Sequence, residues 1–275
     1  MYSNRSHIAS LLAVVCAVLL GMEGGGMTLG KIGSRSMFGW RNPYVTDGLV
    51  AHYDGEWNAG GGVHVPSGLV AWRDLSETGL DLAMPAASAF ELGEKCIRFN
   101  GTGAAESVAS TIVQASLHGT FELVVQRSKL GTGSTRVFFS CGNSAWWRAY
   151  ASISGGPLGV YAYNSGYEGF RWYSMANLET VQSPISFAFM FDKDGASWKS
   201  VVKSYANGRN FSFFTFPNNY GYKADMPTSG VVSAGTTNST DGLTSIFSVR
   251  VYDRHLTADE IAANYAVDRA RFNLP

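Results

Sequence analysis

The sequence predicts an all-β protein, two antiparallel sheets packed as a sandwich and closed by one short C-terminal helix. Three observations predict it. Of 275 residues, 32 are Gly and 13% are aromatic while only 15% are charged, a composition that favours short strands and tight turns over helices. From Gly48 onward, runs of β-branched and aromatic residues alternate with Gly, Asn, Ser and Pro clusters. A single helix start is strongly specified, by the capping box Thr257-Ala-Asp-Glu260.

In chain order, residues 1–43 read as an N-terminal extension and 44–275 as one body. Ile8 to Met22 is an uncharged stretch behind Arg5, matching a signal-peptide core and shorter than the ~20 residues of a spanning helix. It predicts export to the cell surface or beyond, although no A-x-A cleavage site follows and Val15 before Cys16 fits a lipoprotein box poorly. A second reading stands beside it. Glu23-Gly-Gly-Gly-Met27 can be encoded by a purine-rich ribosome-binding sequence ahead of a start codon. Translation then begins at Met27, there is no export signal, and the protein belongs to a virion-like particle or the cytoplasm.

Lys plus Arg total 21 and Asp plus Glu total 21, so no net field attracts nucleic acid or acidic lipid. Three cysteines, Cys16, Cys96 and Cys141, are too few and too far apart for a disulfide scaffold or a zinc site. A Cys96–Cys141 bridge and two buried thiols both remain open. The strand-like runs around each cysteine favour the thiols.

Strands are expected at about 48–53, 69–73, 95–99, 120–126, 135–140, 147–153, 158–163, 185–192, 198–205, 211–216, 230–234 and 245–252. In Phe187-Ala-Phe-Met-Phe191 every second residue is Phe, so one face of that strand should line the core. Phe247-Ser-Val-Arg-Val-Tyr252 alternates likewise, with Phe247, Val249 and Val251 on one side and Ser248, Arg250 and Tyr252 on the other. The helix should run from Thr257 to about Ala270, stapled by Leu256 and Ile261. Its apolar residues Ile261, Ala262, Tyr265 and Ala266 are expected to face the sandwich.

Three segments resemble bacterial or phage laminin-G-like domains of the concanavalin A-like superfamily. The first is Gly48-Leu-Val-Ala-His-Tyr-Asp54 with the turn Trp72-Arg-Asp-Leu-Ser76. The second, Tyr205-Ala-Asn-Gly-Arg209, resembles the family's Y-x-N-G-K hairpin, whose Asn-Gly suits a turn with positive φ. The third, Ser248-Val-Arg-Val-Tyr-Asp-Arg-His-Leu-Thr-Ala-Asp-Glu-Ile261, is similar to the closing strand and capped helix, and is the most specific. The resemblance implies a jelly-roll sandwich that binds carbohydrate. The family usually carries an acidic residue where this chain has Ser248, which puts in doubt a calcium site that uses it.

Glucanases of the superfamily carry E-x-D-x-x-E or E-x-D-x-E on one strand, because retaining hydrolysis needs two carboxylates ~5–5.5 Å apart. No such run is present. Asp54 and Glu56 share a face only if the first strand persists, and a solvated turn is the plainer reading. The histidines, at 7, 52, 64, 118 and 255, form no metal-binding pair. No cofactor is expected, with calcium left open at Asp54, Asn238 and Asp241. For binding, aromatics outside the strand patterns are informative, because sugar rings stack on flat side chains. The candidate set is Asn143, Trp146, Trp147, Arg148, Tyr163, Tyr167 and Trp172, with Tyr173 beside it. If Trp146 and Trp147 lie on a strand they take opposite faces, so both cannot be core.

These residues predict a non-catalytic carbohydrate-binding or adhesion module on a bacterial surface or phage-like particle, with a glycan or cell-surface polysaccharide as partner and no nucleic acid. A divergent glycoside hydrolase of the same fold and a structural sandwich that self-associates or binds partner proteins through its edges are the competing readings.

Overall fold

A computed structural model describes residues 40–108, 118–127, 136–141, 146–151, 157–163, 169–177, 183–194, 197–210, 214–215, 231–236 and 244–275, all within one compact unit, Arg35–Pro275. The N-terminal segment 8–22, Met27, Asn143, Tyr167, Asn238 and Asp241 lie outside the described residues. Two antiparallel sheets form the body. In chain order the strands are β1 (Leu49–Asp54), β2 (Ala71–Trp72), β3 (Leu82–Ala83), β4 (Phe90–Leu92), β5 (Ile97–Phe99), β6 (Gly103–Glu106), β7 (His118–Arg127), β8 (Arg136–Cys141) and β9 (Trp146–Ala151). They continue as β10 (Pro157–Tyr163), β11 (Gly169–Asn177), β12 (Ile185–Asp194), β13 (Ser197–Ala206), β14 (Arg209–Asn210), β15 (Phe214–Thr215), β16 (Val232–Thr236) and β17 (Thr244–Tyr252). Helix α1 spans Ala258–Phe272.

Sheet A runs β14-β13-β12-β7-β17-β5-β4, with β1 also paired to β17, and sheet B runs β15-β11-β10-β9-β8-β16-β6-β3-β2. The first strand therefore lies beside the last, through pairs such as Tyr53 with Val249. Between the sheets sit Tyr53, Trp72, Ile97, Phe99, Leu123, Phe139, Phe187, Phe189, Val249 and Val251. Phe187 and Phe189 stack at 6.0 Å, as the aromatic alternation requires; the Phe191 side chain falls outside the described set. Burying rings of this size removes the most apolar surface per residue from water. Their loss would cost ~3–5 kcal/mol each.

The three motifs acquire physical reasons. Trp72 is fully buried and donates its indole N–H to the Asp54 carbonyl at 2.8 Å. Two positions on, Asp74 Oδ1 accepts from the backbone N–H of His52 and of Ser76. Its Oδ2 accepts from the hydroxyls of Ser76 and Thr78 and from the Leu80 backbone N–H. One buried carboxylate thus ties β1 to the turn after β2. Asn207 and Gly208 adopt φ of 47° and 70°, the positive values the β13–β14 hairpin needs. The capping box is complete, with the Glu260 N–H donating to Thr257 Oγ1 at 3.2 Å and the Thr257 N–H to Glu260 Oε2 at 2.8 Å. Leu256 and Ile261 are buried in one cluster.

Several expectations are corrected. Every residue of β17 is buried, because α1 covers the face of sheet A that the core does not. A bulge between Ile246 and Ser248 places Ile246 in the core and transfers Phe247 to the helix side, against Phe272 at 5.5 Å. On α1 the buried positions are Ile261, Asn264, Asp268 and Phe272, whereas Ala262 and Ala266 are exposed and Tyr265 is half-buried. The helix docks through Asn264 and Asp268 as well as Ile261 and Phe272, so its apolar pattern misidentifies the buried stripe. Residues 169–177, where the sequence signals no strand, form β11, and the short strands β3, β4, β6 and β14 also fall outside the expected set. Cys96 is a free, buried thiol.

Candidate functional site

Beneath α1, β17 sends Arg250, wholly buried, toward two carboxylates. Its Nε donates to Glu122 Oε2 at 2.8 Å, and Nη1 and Nη2 donate to Asp268 Oδ1 and Oδ2 at 2.9 and 2.6 Å. Asp268 also accepts from Tyr44 Oη at 2.8 Å and Ser186 Oγ at 3.3 Å. The Tyr44 ring lies under the guanidinium, 4.0 Å away. Asn264 donates to Glu122 and to Tyr252 Oη. Ser248 accepts from Arg250 Nη1 at 3.0 Å. Burial pushes the Glu122 carboxyl up, opposed by Arg250. With every group satisfied, this is a docking interface for the helix.

The acidic pair at the end of β1 belongs to a neighbouring cluster, and the expectation of a solvated turn is overturned. Asp54 is fully buried and accepts from Arg271 Nη1 and Nη2 at 2.7 and 2.8 Å, while Arg271 also donates to Glu56 Oε2 at 2.8 Å. Asp54 Oδ1 further accepts from the N–H groups of Glu56 and Trp57. Burial alone would raise its pKa, but the two hydrogen bonds from Arg271, helped by the His52 ring 3.8 Å away, outweigh it and hold the carboxyl down at about 2. Asp54 is therefore a structural anion, and no group of acidic, His or Cys residues arranged to hold a metal occurs among the described residues. Sequence reasoning missed the partner because Arg271 lies 217 residues away.

The aromatic candidates meet in sheet B, where the backbone register sorts them onto two faces. Trp147 stands opposite Cys141 and Ala162, and Cys141 opposite Val232. Trp172 stands opposite Val160, then Ala149 and Phe139. Val232 and Phe139 are buried core residues, so Trp147 and Trp172 fall on the core-bearing face. Trp146, Arg148 and Tyr163 fall on the other.

That second face of β9, β10 and β11 is a three-by-three grid. Across the strands its rows are Trp146, Tyr163, Gly169; then Arg148, Tyr161, Arg171; then Tyr150, Gly159, Tyr173. Cross-strand neighbours on one face have Cβ atoms ~4.5–5.5 Å apart. The register thus assigns five aromatic, two arginine and two glycine positions to that face, their side chains falling outside the described set. Tyr150, Tyr161 and Arg171 were absent from the sequence-based set. Their signal was the period-two alternation of W-W-R-A-Y, G-V-Y-A-Y and G-F-R-W-Y, which becomes readable once all three stretches are known to be strands.

A separate cleft of about 430 Å³ opens beside β2, β3 and β4, lined by Leu69, Val70, Met84, Pro85, Phe90 and Leu92. It offers Ser67 as its one polar side chain, too few convergent groups to orient a polar ligand.

No protein-family model matches the chain, and no curated protein matches it significantly in sequence. Solved structures resemble it in fold. The binding domain of Paraclostridial Mosquitocidal Protein 1 superposes with a TM-score of 0.56 at 12% identity, over 79% of this chain and 52% of that one. The botulinum neurotoxin serotype G binding domain gives 0.53 at 13% identity, over 81% and 51%. The serotype D ligand binding domain, solved in complex with N-acetylneuraminic acid, gives 0.55 at 10% identity, over 81% and 52%. The chain thus spans about half the length of these neighbours, and at such identities the shared property is a lectin-like β-sandwich fold.

Proposed function

We propose that this chain is a non-catalytic carbohydrate-binding module of laminin-G-like type, with the β9–β11 grid as its binding face. The observation that carries the reading is the register, which gathers Trp146, Tyr150, Tyr161, Tyr163 and Tyr173 on one face. Flat aromatic rings stack on the C–H faces of sugars, and adjacent donors fix the hydroxyls. The binding roles of the similarly folded toxin domains support it at the level of class. Asp54, ion-paired and buried, is unsuited to general acid catalysis, which favours binding over hydrolysis.

A glycan array with the full chain, followed by variants, tests this. Tyr161→Ala and Trp146→Ala should abolish most binding while melting normally. Trp147→Ala and Trp172→Ala, on the core-bearing face, should instead melt early, by up to ~3–5 kcal/mol of lost stability. Array binding that survives Tyr161→Ala and Trp146→Ala unchanged would remove the grid as the site. Hydrolysis of a β-glucan by the parent chain would refute the non-catalytic reading.

A further inference from the structure

We infer, resting on that reading, that the ligand of the β9–β11 face is an acidic glycan whose sugar ring carries a carboxylate. The middle row of the grid reads Arg148, Tyr161, Arg171, so an aromatic position is flanked on both sides by a guanidinium-bearing one. Adjacent strands lie ~4.8 Å apart, which sets the two arginine positions ~10 Å from each other across Tyr161. The Tyr161 position is one strand spacing from each arginine position, a span that a sugar ring with a carboxylate on its own carbon matches.

The charge pattern is local. The nine positions hold two arginines and no Asp or Glu, in a chain whose formal net charge is zero. The same row, followed along the sheet, passes Ser140 and Ser233 before reaching Glu106. That carboxylate is three strand spacings, ~14 Å, from Arg148, beyond the ~8 Å screening length of physiological salt. Neither arginine position has an acid beside it on this face among the described residues. Arginine rather than lysine suits a planar carboxylate, because its fork binds both oxygens at once. Two cations are too few for a phosphate backbone, where affinity grows with the number of contacts.

Calorimetry with the full chain tests the inference using polygalacturonate, alginate, and polygalacturonate whose carboxylates have been methyl-esterified. One uronate polymer should bind, and esterification should weaken binding at least tenfold. Arg148→Gln and Arg171→Gln should each weaken uronate binding on the order of tenfold without moving the melting temperature, and raising salt should weaken the parent. Equal binding of the acid and its ester would overturn the inference and leave the carbohydrate reading standing. So would binding of dextran sulfate with neither uronate polymer bound, or binding of neutral glycans alone on the array. Absence of any glycan ligand would overturn both. The ester comparison needs no variant and decides the matter if either substitution unfolds the chain.

Discussion

Asp268→Ala is the sharpest perturbation of the fold. The Asp268 side chain is fully buried and accepts four hydrogen bonds, two from Arg250 and one each from Tyr44 and Ser186. Removing it leaves the Arg250 cation in a buried interface with Glu122 as its remaining ion-pair partner. Breaking one side of a buried pair costs ~3–5 kcal/mol, here because Glu122 alone compensates a guanidinium that had two carboxylate partners. For a domain of this size each kcal/mol lowers Tm by ~2–4 °C, so a drop of about 6–20 °C is expected. Urea unfolding followed by far-ultraviolet circular dichroism gives the free energy directly. The cause is isolated by repeating the substitution in an Arg250→Met background, where no buried cation is stranded. There Asp268→Ala should cost ~0.5–3 kcal/mol less. Equal costs in the two backgrounds would refute the account, as would a single-mutant cost under ~1 kcal/mol.

Two further predictions concern pH and the helix start. His52 is wholly buried, with Nδ1 at 3.0 Å from the Asn42 amide and Nε2 at 3.8 Å from Asp54 Oδ2, and packs edge-on against Tyr44. Burial lowers its pKa below 6.5, opposed by Asp54 and Asp74 and reinforced by Arg250. The folded state therefore binds fewer protons than the unfolded one, and stability present above pH 6.5 should fall as the pH drops below it. His52→Gln should remove that slope from a plot of Tm against pH; an unchanged slope assigns it elsewhere. Asp54, lowered from 3.8 to about 2, should add a second loss between those values. Thr257→Ala should cost ~0.5–2 kcal/mol through loss of the N-cap, and an unmoved unfolding midpoint would show that the first turn does not depend on it.

What the sequence revealed was local. The capping box, the Asn207-Gly208 turn and the Phe187–Phe189 alternation are each encoded within a few residues, and each took the expected form. The helix face was illegible because its partners come from elsewhere in the chain. Asn264 and Asp268 are polar residues that a hydrophobic pattern assigns to solvent, and only Glu122 and Arg250, far away in sequence, make their burial favourable. Phe247 misleads for a different reason: one extra residue in β17 reverses its face, and a bulge leaves no mark in composition. The grid lay between these cases. Trp146, Arg148 and Tyr163 were picked out by residue type, but which neighbours join them depends on the register of three strands, which turn lengths and pairing set.

The pairing of β1 with β17 also has a consequence for biosynthesis. Tyr44 and Asp268 are 224 residues apart, and Asp54 and Arg271 are 217 apart. Closing a loop of that length costs about 5 kcal/mol of chain entropy before any contact compensates for it, and topologies built on such contacts fold slowly. On the ribosome β1 emerges early and waits for nearly the whole body before its partner strand exists. Until α1 follows, Arg250, Glu122 and Asp54 remain hydrated on an unfinished sheet. The fifteen-residue helix thus marks the moment at which this sandwich becomes a closed one.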